Sequence, residues 1–504
     1  MLLWFVIAYW IVSVAIGLYA ATRVHNAKDF AVAVRSLPIY VVIATVFATW
    51  FGSEAVLGIP ATFLDEGLHG IIADPFGSSL CLVLVGLFFA VPLYRMNLLT
   101  IGDFYKKKYW RGVEMLTSLA IVISYLGWVG AQITALGLVF NVVSAGEISR
   151  LAGMWIGAGT IMIYTFFGGM WAVAITDLLQ MVIIVIGLLL IGNDISNQVG
   201  GVAAVVRHAA AAGKFAFFPA LDWKEVVGFV AALVTMMFGS IPQQDVFQRV
   251  QASRTEKIAM WGAVIGGGLY FMFTFVPIFL AYSATLIDPA MVKAKMAEDS
   301  QLILPTLVLE HSSLLMQVLF FGALLSAIKS CASATLLAPS VSFSENIIKP
   351  MLKRHLTDSE QLRLMRAVTL VFTLLVTLYA VYSDSSIFHM VENAYQITLV
   401  MAFVPLTAGI FWKRANTQGA LVSIFFGLSV WLGILIVGPK EPVVPAHFAG
   451  MIASAIGMVA GALFPRVIGK PLPHGSEHAA LQHRAASLTG HVAGRSRWRH
   501  FDRK

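Results

Sequence analysis

The sequence contains few charged residues. Only 12% of its 504 residues are Asp, Glu, Lys or Arg, and 59% are hydrophobic. A soluble domain carries about a quarter charged residues, so this composition excludes an ordinary soluble protein. Apolar runs of about 20 residues, the length that crosses a hydrocarbon core roughly 30 Å thick, recur along most of the chain. The alternating polarity of membrane β-strands is lacking. The sequence therefore predicts an all-α integral membrane protein in a lipid bilayer.

Cysteines and catalytic motifs are scarce as well. The two cysteines, Cys81 and Cys331, both fall in apolar runs, and such isolated thiols form no disulfide framework. The apolar runs contain no nucleophile–base pair and no metal-ligand spacing such as HExxH, so we expect no enzyme activity. The net charge of +8 is distributed over loops and a tail and does not indicate a nucleic-acid partner. No protein partner is evident either.

The apolar runs divide into thirteen candidate spans. Their bounds are 2–21, 38–62, 70–94, 112–143, 151–172, 173–195, 225–247, 259–286, 306–345, 364–383, 386–412, 418–437 and 446–465. The run 306–345 is too long for one span, so we expect it to bend or to continue as a cytoplasmic helix. Together the spans form a predicted transmembrane domain over residues 1–465.

Lysine and arginine alternate between the predicted loops. Roughly 26 of the 34 basic residues, Arg249 among them, fall in every second loop or in the C-terminal tail, and about 7 fall in the other loops. Basic residues concentrate in cytoplasmic loops. We therefore expect the N-terminus outside a cell (inner) membrane and the C-terminus in the cytoplasm. Residues 466–504 are predicted to form a basic, disordered cytoplasmic tail.

Two spans contain helix-breaking residues near their middle. In "FATWFGSEAVLGIP" a Gly-Ser-Glu triplet at 52–54 interrupts the apolar run, and in "VTMMFGSIPQQDVFQRV" Gly, Ser and Pro at 239–242 do the same. Backbone freed at such points must line a cavity or be covered by protein. Broken helices at matching positions in two halves of a chain indicate a transporter built from inverted repeats, with its binding site at the breaks. The repeats predicted in this way are residues 38–195 and 225–412.

Three segments resemble the sodium:solute symporter family. They are "YTFFGGMWAVAITDLLQ" (164–180), "FQRVQASRTEKIA" (247–259) and the small-residue run around Ser330, and they occur in the family's order. The resemblance implies a fold similar to that of the bacterial leucine transporter. This fold has five plus five helices in inverted repeats, here with one extra helix before the core and two after it. The resemblance also implies secondary active transport, in which a small organic solute (an amine, amino acid or carboxylate) is imported by alternating access with Na⁺.

Other stretches resemble the choline-transporter branch of this family. They are "ATWFG" (48–52), "GSIPQQDVFQRV" (239–250) and "LILPTLVLE" (302–310). In that branch indole faces hold a quaternary ammonium group, and Trp50 and Trp128 match two of its aromatic positions. Gln243 stands where the branch has a third tryptophan. A tryptophan in a span can equally be a packing residue or an interfacial anchor. The candidate solute-binding residues, at the breaks and on the facing third and tenth helices, are Trp50, Ser53, Glu54, Trp128, Gln132, Gln243, Gln244 and Gln396.

The family resemblance also implies cation sites built from carbonyls and hydroxyls. The positions that match one sodium site are Ala48, Phe51, Ala327, Ser330 and Cys331. The family usually has serine or threonine at the last of these, and a thiol is a poor ligand for a hard cation. A second cation position, found in some members, would match Asp177, Ser330 and Ser333.

One lysine, Lys329, lies near the middle of an apolar span. An ionisable residue at such a position is a functional-site candidate whose partner should be named. At about 100° per residue, Lys329 lies roughly 40° around the helix from Ser333 and nearly opposite Cys331. We therefore predict that its ammonium group pairs with Asp177 and occupies the place of the second cation. Transport would then be driven by H⁺ or be independent of ions. Alternatively, Lys329 points to lipid or snorkels to an interface.

A solute sensor is the main alternative from another functional class. It would bind the solute without transporting it and would signal through the tail. The tail has about 35 residues, whereas a domain needs about 50, so a sensor would require a partner protein. Accumulation of solute by proteoliposomes that contain only this protein would separate a carrier from a sensor.

Overall fold

The computed structural model describes residues 2–22, 24–352, 354–439 and 442–464. Within these ranges the regular structure is helical, and the only β contact is an isolated bridge between Leu37 and Ser253. The all-α prediction is confirmed. The predicted cytoplasmic tail, 466–504, lies outside the described residues.

The helices of the described ranges follow one another along the whole chain. In order, the α-helices are α1 Leu2–Ala21, α2 Ala27–Val32, α3 Ile39–Trp50, α4 Ile59–Glu66, α5 Ser78–Leu84, α6 Ala90–Arg95, α7 Ile101–Lys108, α8 Arg111–Val143, α9 Arg150–Gln198, α10 Val202–Ala211, α11 Trp223–Gly239, α12 Gln244–Ala252, α13 Glu256–Ile287, α14 Pro289–Glu298, α15 Ile303–His311, α16 Leu314–Ser342, α17 Lys349–Met351, α18 Asp358–Tyr382, α19 Ile387–Ala394, α20 Gln396–Thr398, α21 Val404–Phe411, α22 Thr417–Val437 and α23 Ala446–Leu463. The wider π-helical turns are Glu54–Gly58, Ile72–Gly77, Val85–Phe89, Phe343–Ile348 and Leu399–Phe403, and the 3₁₀ turns are Ala33–Arg35 and Ser300–Leu302.

Ten helices of the described part are long and apolar enough to cross a membrane, or up to twelve if each of two bent pairs forms one span. α9 contains two arms, because Gly169 interrupts it with a φ of 49° and a ψ of −146°. This interruption lies a few residues before the predicted boundary between spans 151–172 and 173–195. The N-terminal arm includes the shorter apolar helix Arg150–Ile163. The total of thirteen spans stays a prediction.

Both predicted helix breaks are present. α3 and the helix that starts at Glu54 meet at an angle of 57°, and α11 and α12 meet at an angle of 44°. The residues between the halves are 51–53 in the first case and 240–243 in the second, which include the glycine, serine and proline positions that indicate the breaks. The assignment of the repeats 38–195 and 225–412 itself stays a prediction.

The long apolar run 306–345 is divided differently from our expectation. Its first residues belong to a separate helix, α15, which ends at His311, and α16 begins at Leu314 behind the capping hydroxyl of Ser313. The run does continue beyond residue 345, through a π-helical turn to Met351. A serine pair at 312–313 therefore marks the start of this span, which the hydropathy pattern alone places too early.

The two broken helices lie in the interior of the bundle. α3 packs against α9, α13 and α16, and α12 packs against α13 and α16. α8 packs against α9 and α16, and so does α1. The residues at both joints are consequently buried, including Ser53, Glu54, Ser240 and Gln243. This arrangement places irregular backbone where protein, rather than lipid, supplies its hydrogen-bond partners.

Candidate solute and ion site

Four aromatic side chains from different segments meet at the joint of the first broken helix. We call them the aromatic cluster: Trp50 at the end of α3, Trp128 on α8, Tyr270 on α13, and Tyr395 between α19 and α20. The ring centroid of Trp50 lies 5.3 Å from that of Trp128, 6.3 Å from that of Tyr395 and 6.5 Å from that of Tyr270. All four side chains are buried. The sequence predicts the two tryptophans, but no pattern around the tyrosines distinguishes them from core residues.

A carboxylate, that of Glu54, lies beside the aromatic cluster. Its Oε2 accepts a 2.7 Å hydrogen bond from Nε2 of Gln132, and its Oε1 accepts a 3.3 Å bond from Nε1 of Trp128. Oε1 of Gln132 accepts a 2.9 Å bond from the backbone N–H of Ser53, which fixes this glutamine against the joint. Glu54 is only 2% exposed. The structure therefore brings four of the predicted solute-binding residues, Trp50, Ser53, Trp128 and Gln132, together around the buried carboxylate of a fifth, Glu54. The described donors to this carboxylate are neutral.

A second buried carboxylate, that of Asp74, is connected to the cluster and is absent from our predicted site. Its Oδ1 accepts a 2.6 Å hydrogen bond from the hydroxyl of Tyr270 and another from the hydroxyl of Ser78. Asp74 is 3% exposed. An aspartate inside the apolar run 70–94 is itself a signal for a functional site, and this signal could have identified it.

Gln243 lies at the joint of the second broken helix. Its Nε2 donates to the hydroxyl of Ser124 on α8 at 2.9 Å and to that of Thr398 on α20 at 3.3 Å. Thr398 in turn donates to the carbonyl of Gly239 at 2.7 Å. This polar group therefore connects the second joint to α8, the helix that also carries Trp128.

The structure does not bring the other two predicted glutamines to the aromatic cluster. Oε1 of Gln244 accepts a 2.8 Å hydrogen bond from the backbone N–H of Ile101, at the start of α7. Gln396 is half-buried, and its Nε2 donates to Oδ1 of Asn393 at 2.7 Å. Neighbouring residues of a helix point about 100° apart, so Tyr395 faces the cluster while Gln396 faces elsewhere.

The end of α3 provides backbone oxygens of the kind that a sodium ion needs. The last hydrogen bond of this half-helix runs from the N–H of Phe51 to the carbonyl of Phe47, at 2.8 Å. Carbonyls at the end of a helix lack the donors that a continuing helix would supply, and they carry the negative end of its dipole. Ala48 lies in this last turn and is fully buried. The backbone oxygens predicted for the first sodium site thus suit a hard cation, whereas the thiol of Cys331 does not, and the ligand roles stay predictions.

The opposite wall of the predicted sodium site is α16. Ala327, Ser330 and Cys331 are all fully buried on this helix. The joint of the first broken helix lies directly against it, since a Cβ built on Gly52 would be 2.7 Å from Sγ of Cys331. Only glycine permits this approach of backbone to side chain. The structure therefore brings the end of α3 and the small-residue stretch of α16 together.

Asp177 on α9 connects the same two helices. Its Oδ1 accepts a 2.6 Å hydrogen bond from the hydroxyl of Ser330, and its Oδ2 accepts a 2.5 Å bond from the hydroxyl of Thr45 on α3. Ser333, by contrast, donates to the carbonyl of Ser330 at 3.0 Å. Asp177 and Ser330 therefore lie together as expected, Thr45 joins them, and the hydroxyl of Ser333 does not.

Lys329 does not pair with Asp177, so that prediction is wrong. Its Nζ donates to the hydroxyl of Ser13 on α1 at 2.5 Å and lies 5.5 Å from the ring centroid of Trp10. The side chain is fully buried, which excludes the lipid-facing alternative. Because Ser330 faces Asp177, the preceding residue points about 100° away, towards α1. The ammonium group therefore does not take the place of the second cation.

Arg249 is a buried residue of α12, whereas the charge count assigns it to a cytoplasmic loop. Its Nη1 donates to the carbonyl of Asp245 at 2.7 Å, its Nε donates to the carbonyl of Thr45 at 3.3 Å, and its Nη2 donates to the hydroxyl of Thr49. Thr45 and Thr49 belong to α3. This arginine therefore joins one half of each broken helix.

Comparison with known proteins identifies the family. Residues 30–427 match the model of the sodium:solute symporter family. The chain belongs to this family. The resemblance inferred from its three sequence motifs is thereby confirmed, and the protein is a secondary active symporter for small organic solutes, not an enzyme.

Individual relatives are distant but cover most of the symporter. It is 25% identical over 474 residues to the high-affinity choline transporter 1 of Caenorhabditis elegans. This match covers 88% of this chain and 79% of the relative. It is 23% identical over 483 residues to the osmoregulated proline transporter OpuE of Bacillus subtilis, covering 89% and 92%. Among solved structures, a substrate-bound, outward-open Na⁺-coupled sialic acid symporter has a TM-score of 0.77 at 21% identity and covers 92% of this chain and 98% of that one. The last comparison confirms the fold predicted from the broken helices.

Proposed function

We propose that this symporter imports a small organic cation, an amine or a quaternary ammonium compound, together with Na⁺. The observation that carries the proposal is the aromatic cluster with the Glu54 carboxylate beside it. Aromatic faces attract a cation through the ring quadrupole, by about 2 kcal/mol or more where water is excluded. A buried carboxylate supplies the compensating charge that a desolvated cation requires.

The charges around the cluster support a positively charged solute over a negatively charged one. Glu54 and Asp74 both lie at the cluster, the latter through the hydroxyl of Tyr270. The guanidinium group of Arg249, by contrast, donates its hydrogen bonds to α3 and α12. A carboxylate solute would therefore meet two like charges, which is costly in a site of low dielectric constant.

The choline transporters among the relatives support the same class of solute. High-affinity choline transporters of several animals match 84% or more of this chain. Gln243 stands where the choline branch has a third tryptophan, and its amide group is hydrogen-bonded to Ser124 and Thr398. We expect the preferred solute to carry a polar group in addition to its cationic centre, because a polar wall is present where a third aromatic face would otherwise be.

Sodium coupling would use the end of α3, the small-residue stretch of α16, and Asp177. A coupling ion must bind one conformation of the carrier better than the other. A site shared between a broken helix and α16 meets this requirement if the two move apart during transport. In this proposal the repeats 38–195 and 225–412 move against each other, with the N-terminus outside and the C-terminus in the cytoplasm of the cell whose inner membrane holds the protein.

Uptake by proteoliposomes that contain only this protein tests the proposal. Choline and its neutral isostere 3,3-dimethyl-1-butanol would be compared as inhibitors of the uptake of a labelled organic cation. Uptake of proline, a zwitterion, and of lactate, an anion, would be measured alongside. We expect competition by the cation and not by its isostere, and uptake driven by a Na⁺ gradient but not by an equal K⁺ gradient. Accumulation of proline or lactate alone would refute the cationic solute. Accumulation driven by a pH gradient without Na⁺ would refute sodium coupling in favour of H⁺, and binding without accumulation would indicate a sensor.

Substitutions of single tryptophans test the aromatic cluster. Replacing Trp50 or Trp128 by leucine keeps the site apolar but removes the indole face, so the affinity for the cation should fall roughly 2- to 30-fold. Trp110→Leu is the matched control, since Trp110 is 55% exposed and lies outside the cluster. Equal affinities in all three variants would contradict the assigned site.

A further inference from the structure

The Glu54 carboxylate also lies beside the predicted sodium site. Its Oε1 is 4.0 Å from Sγ of Cys331, close enough for the thiol to act as a weak donor. Gly52 lies between the two, because a Cβ on this glycine would be 2.7 Å from both Cys331 Sγ and Glu54 Oε2. The backbone of the joint, the thiol and the carboxylate therefore meet at one buried point.

Without the carboxylate, the groups at this point offer a sodium ion too few oxygen ligands. A hydroxyl at position 331 would be a hard oxygen donor, whereas a thiol is a poor ligand for a hard cation. A carboxylate is the strongest oxygen donor among side chains and offers about four lone-pair directions. Among the described side chains its donors are Gln132 and Trp128, with the thiol of Cys331 a weak third at 4.0 Å, so the side of the carboxylate towards Cys331 can still bind a cation.

A second observation is an unpaired polar atom at the same joint. The hydroxyl of Ser53, which is fully buried at the same joint, has no hydrogen-bond partner among the described residues. Buried hydroxyls are normally paired, because an unpaired one costs about 1–3 kcal/mol. Its neighbours in the chain, Gly52 and Glu54, are the two residues that approach Cys331.

We propose that Glu54 is a ligand of the coupling cation and supplies the oxygen that position 331 lacks in this chain. The inference rests on the sodium coupling proposed above. Glu54 then contacts both sites of the carrier, since its Oε1 lies 4.0 Å from Sγ of Cys331 and also accepts a bond from Trp128, while its Oε2 accepts one from Gln132. Binding of the ion fixes this carboxylate and so changes the free energy of solute binding, and the effect is reciprocal by linkage.

Sodium binding in the absence of solute tests this assignment. The full-length protein would be purified in detergent, and its thermal midpoint would be measured across a titration of NaCl, with KCl keeping the ionic strength constant. Glu54→Gln should raise the Na⁺ concentration for a half-maximal shift by about tenfold or more, because an ionised ligand is lost. Glu114→Gln is the matched control. Glu114 is also a buried carboxylate, bonded by Asn346, but it lies about 20 Å along α8 from Trp128.

Restoring the hydroxyl separates a ligand role from a structural one. Cys331→Ser in the Glu54→Gln background should recover part of the sodium response, since it returns an oxygen donor to the same place. Recovery in the double variant, with an unchanged response of Glu114→Gln, supports the proposal. A wild-type sodium response in Glu54→Gln overturns it, and so does a lost response that Cys331→Ser leaves unrestored.

The same titration distinguishes failure of this inference from failure of the proposed function. If the thermal midpoint of the wild-type protein does not shift with NaCl, the protein lacks sodium coupling. The proposed coupling and the proposed role of Glu54 are then both refuted. A sodium shift that survives Glu54→Gln removes only the role of Glu54. A choline titration of the wild-type protein without NaCl tests the solute site by itself, whereas Glu54→Gln should also weaken choline binding, because Glu54 contacts both sites.

Discussion

Adding one methyl group at Gly52 tests how closely the first joint and α16 must pack. The new Cβ would lie 2.7 Å from Cys331 Sγ, 2.7 Å from Glu54 Oε2 and 2.8 Å from Cys331 Cβ. Ordinary contacts between non-bonded carbon atoms are about 3.5–4.0 Å, so the contact with Cβ is about 1 Å too short. Glu54 can rotate, but Cβ of Cys331 is fixed by the backbone of α16. Relief therefore requires the joint and the helix to move apart.

Such overpacking costs about 1–3 kcal/mol, so Gly52→Ala should lower the free energy of unfolding by this amount. The same separation displaces Cys331 from Glu54, and sodium affinity should fall with stability. Stability and sodium affinity are both measured by thermal melting in detergent with and without NaCl. Uptake in proteoliposomes measures the effect on transport.

Two further variants make the measurement decisive. Gly268→Ala is the control: a Cβ at Gly268, in α13, meets no atom within 4 Å, and alanine is the better helix former by about 1 kcal/mol. It should leave the thermal midpoint unchanged or raise it. Cys331→Gly in the Gly52→Ala background removes both contacts with residue 331 and should recover part of the loss. If Gly52→Ala melts and binds sodium like Gly268→Ala, the close approach of the joint to α16 is refuted.

Other substitutions test the remaining contacts. Lys329→Met should leave the sodium dependence of uptake unchanged, because the ammonium group is bonded to α1. Loss of this dependence would show instead that Lys329 belongs to the ion site. Asp177→Asn should raise the sodium concentration for half-maximal uptake by about tenfold, since two hydroxyls lose an ionised acceptor, and an unchanged value would exclude Asp177 from coupling. Arg249→Lys should reduce uptake per protein molecule in the membrane, because an ammonium group cannot reproduce the fork of the guanidinium, and wild-type uptake would refute the joining role. Gly169→Ala should destabilise the protein by about 1–3 kcal/mol, since its backbone conformation is almost restricted to glycine, whereas Gly159→Ala in the same helix, with no atom within 4 Å of the new Cβ, should not.

Apolar length and backbone chemistry explain why the fold was predictable. A span needs about 20 apolar residues, and a break needs glycine or proline, so both appear directly in the sequence. The joints at 51–53 and 240–243 follow from such residues. Polar residues at a predicted joint must lie in the interior of the bundle, because lipid offers them no partners. Glu54 and its partners could therefore be predicted from the sequence.

The contacts of Lys329 and Arg249 were less accessible for physical reasons. Angles around a helix give the direction of Lys329 relative to Ser333, but they do not say which neighbouring helix lies in that direction, and α1 lies there. Counting charges assigns every arginine near the end of a span to a loop. It therefore fails for Arg249, whose three hydrogen bonds to α3 and α12 make burial affordable within the bundle. Tyr270 and Tyr395 join the site from spans with no distinguishing pattern.

The hydrogen bonds of Arg249 have a consequence for how this sequence can change over evolutionary time. The residues joined by its Nη2 are 200 positions apart in the chain, one in each predicted repeat. A substitution at Thr49 removes the hydroxyl that accepts from Nη2, and loss of the arginine leaves two buried acceptors in α3 unpaired, this hydroxyl and the backbone carbonyl of Thr45. Changes in the two segments should therefore be inherited in combination, so that positions 49 and 249 covary across homologous sequences although neither repeat encodes the contact alone.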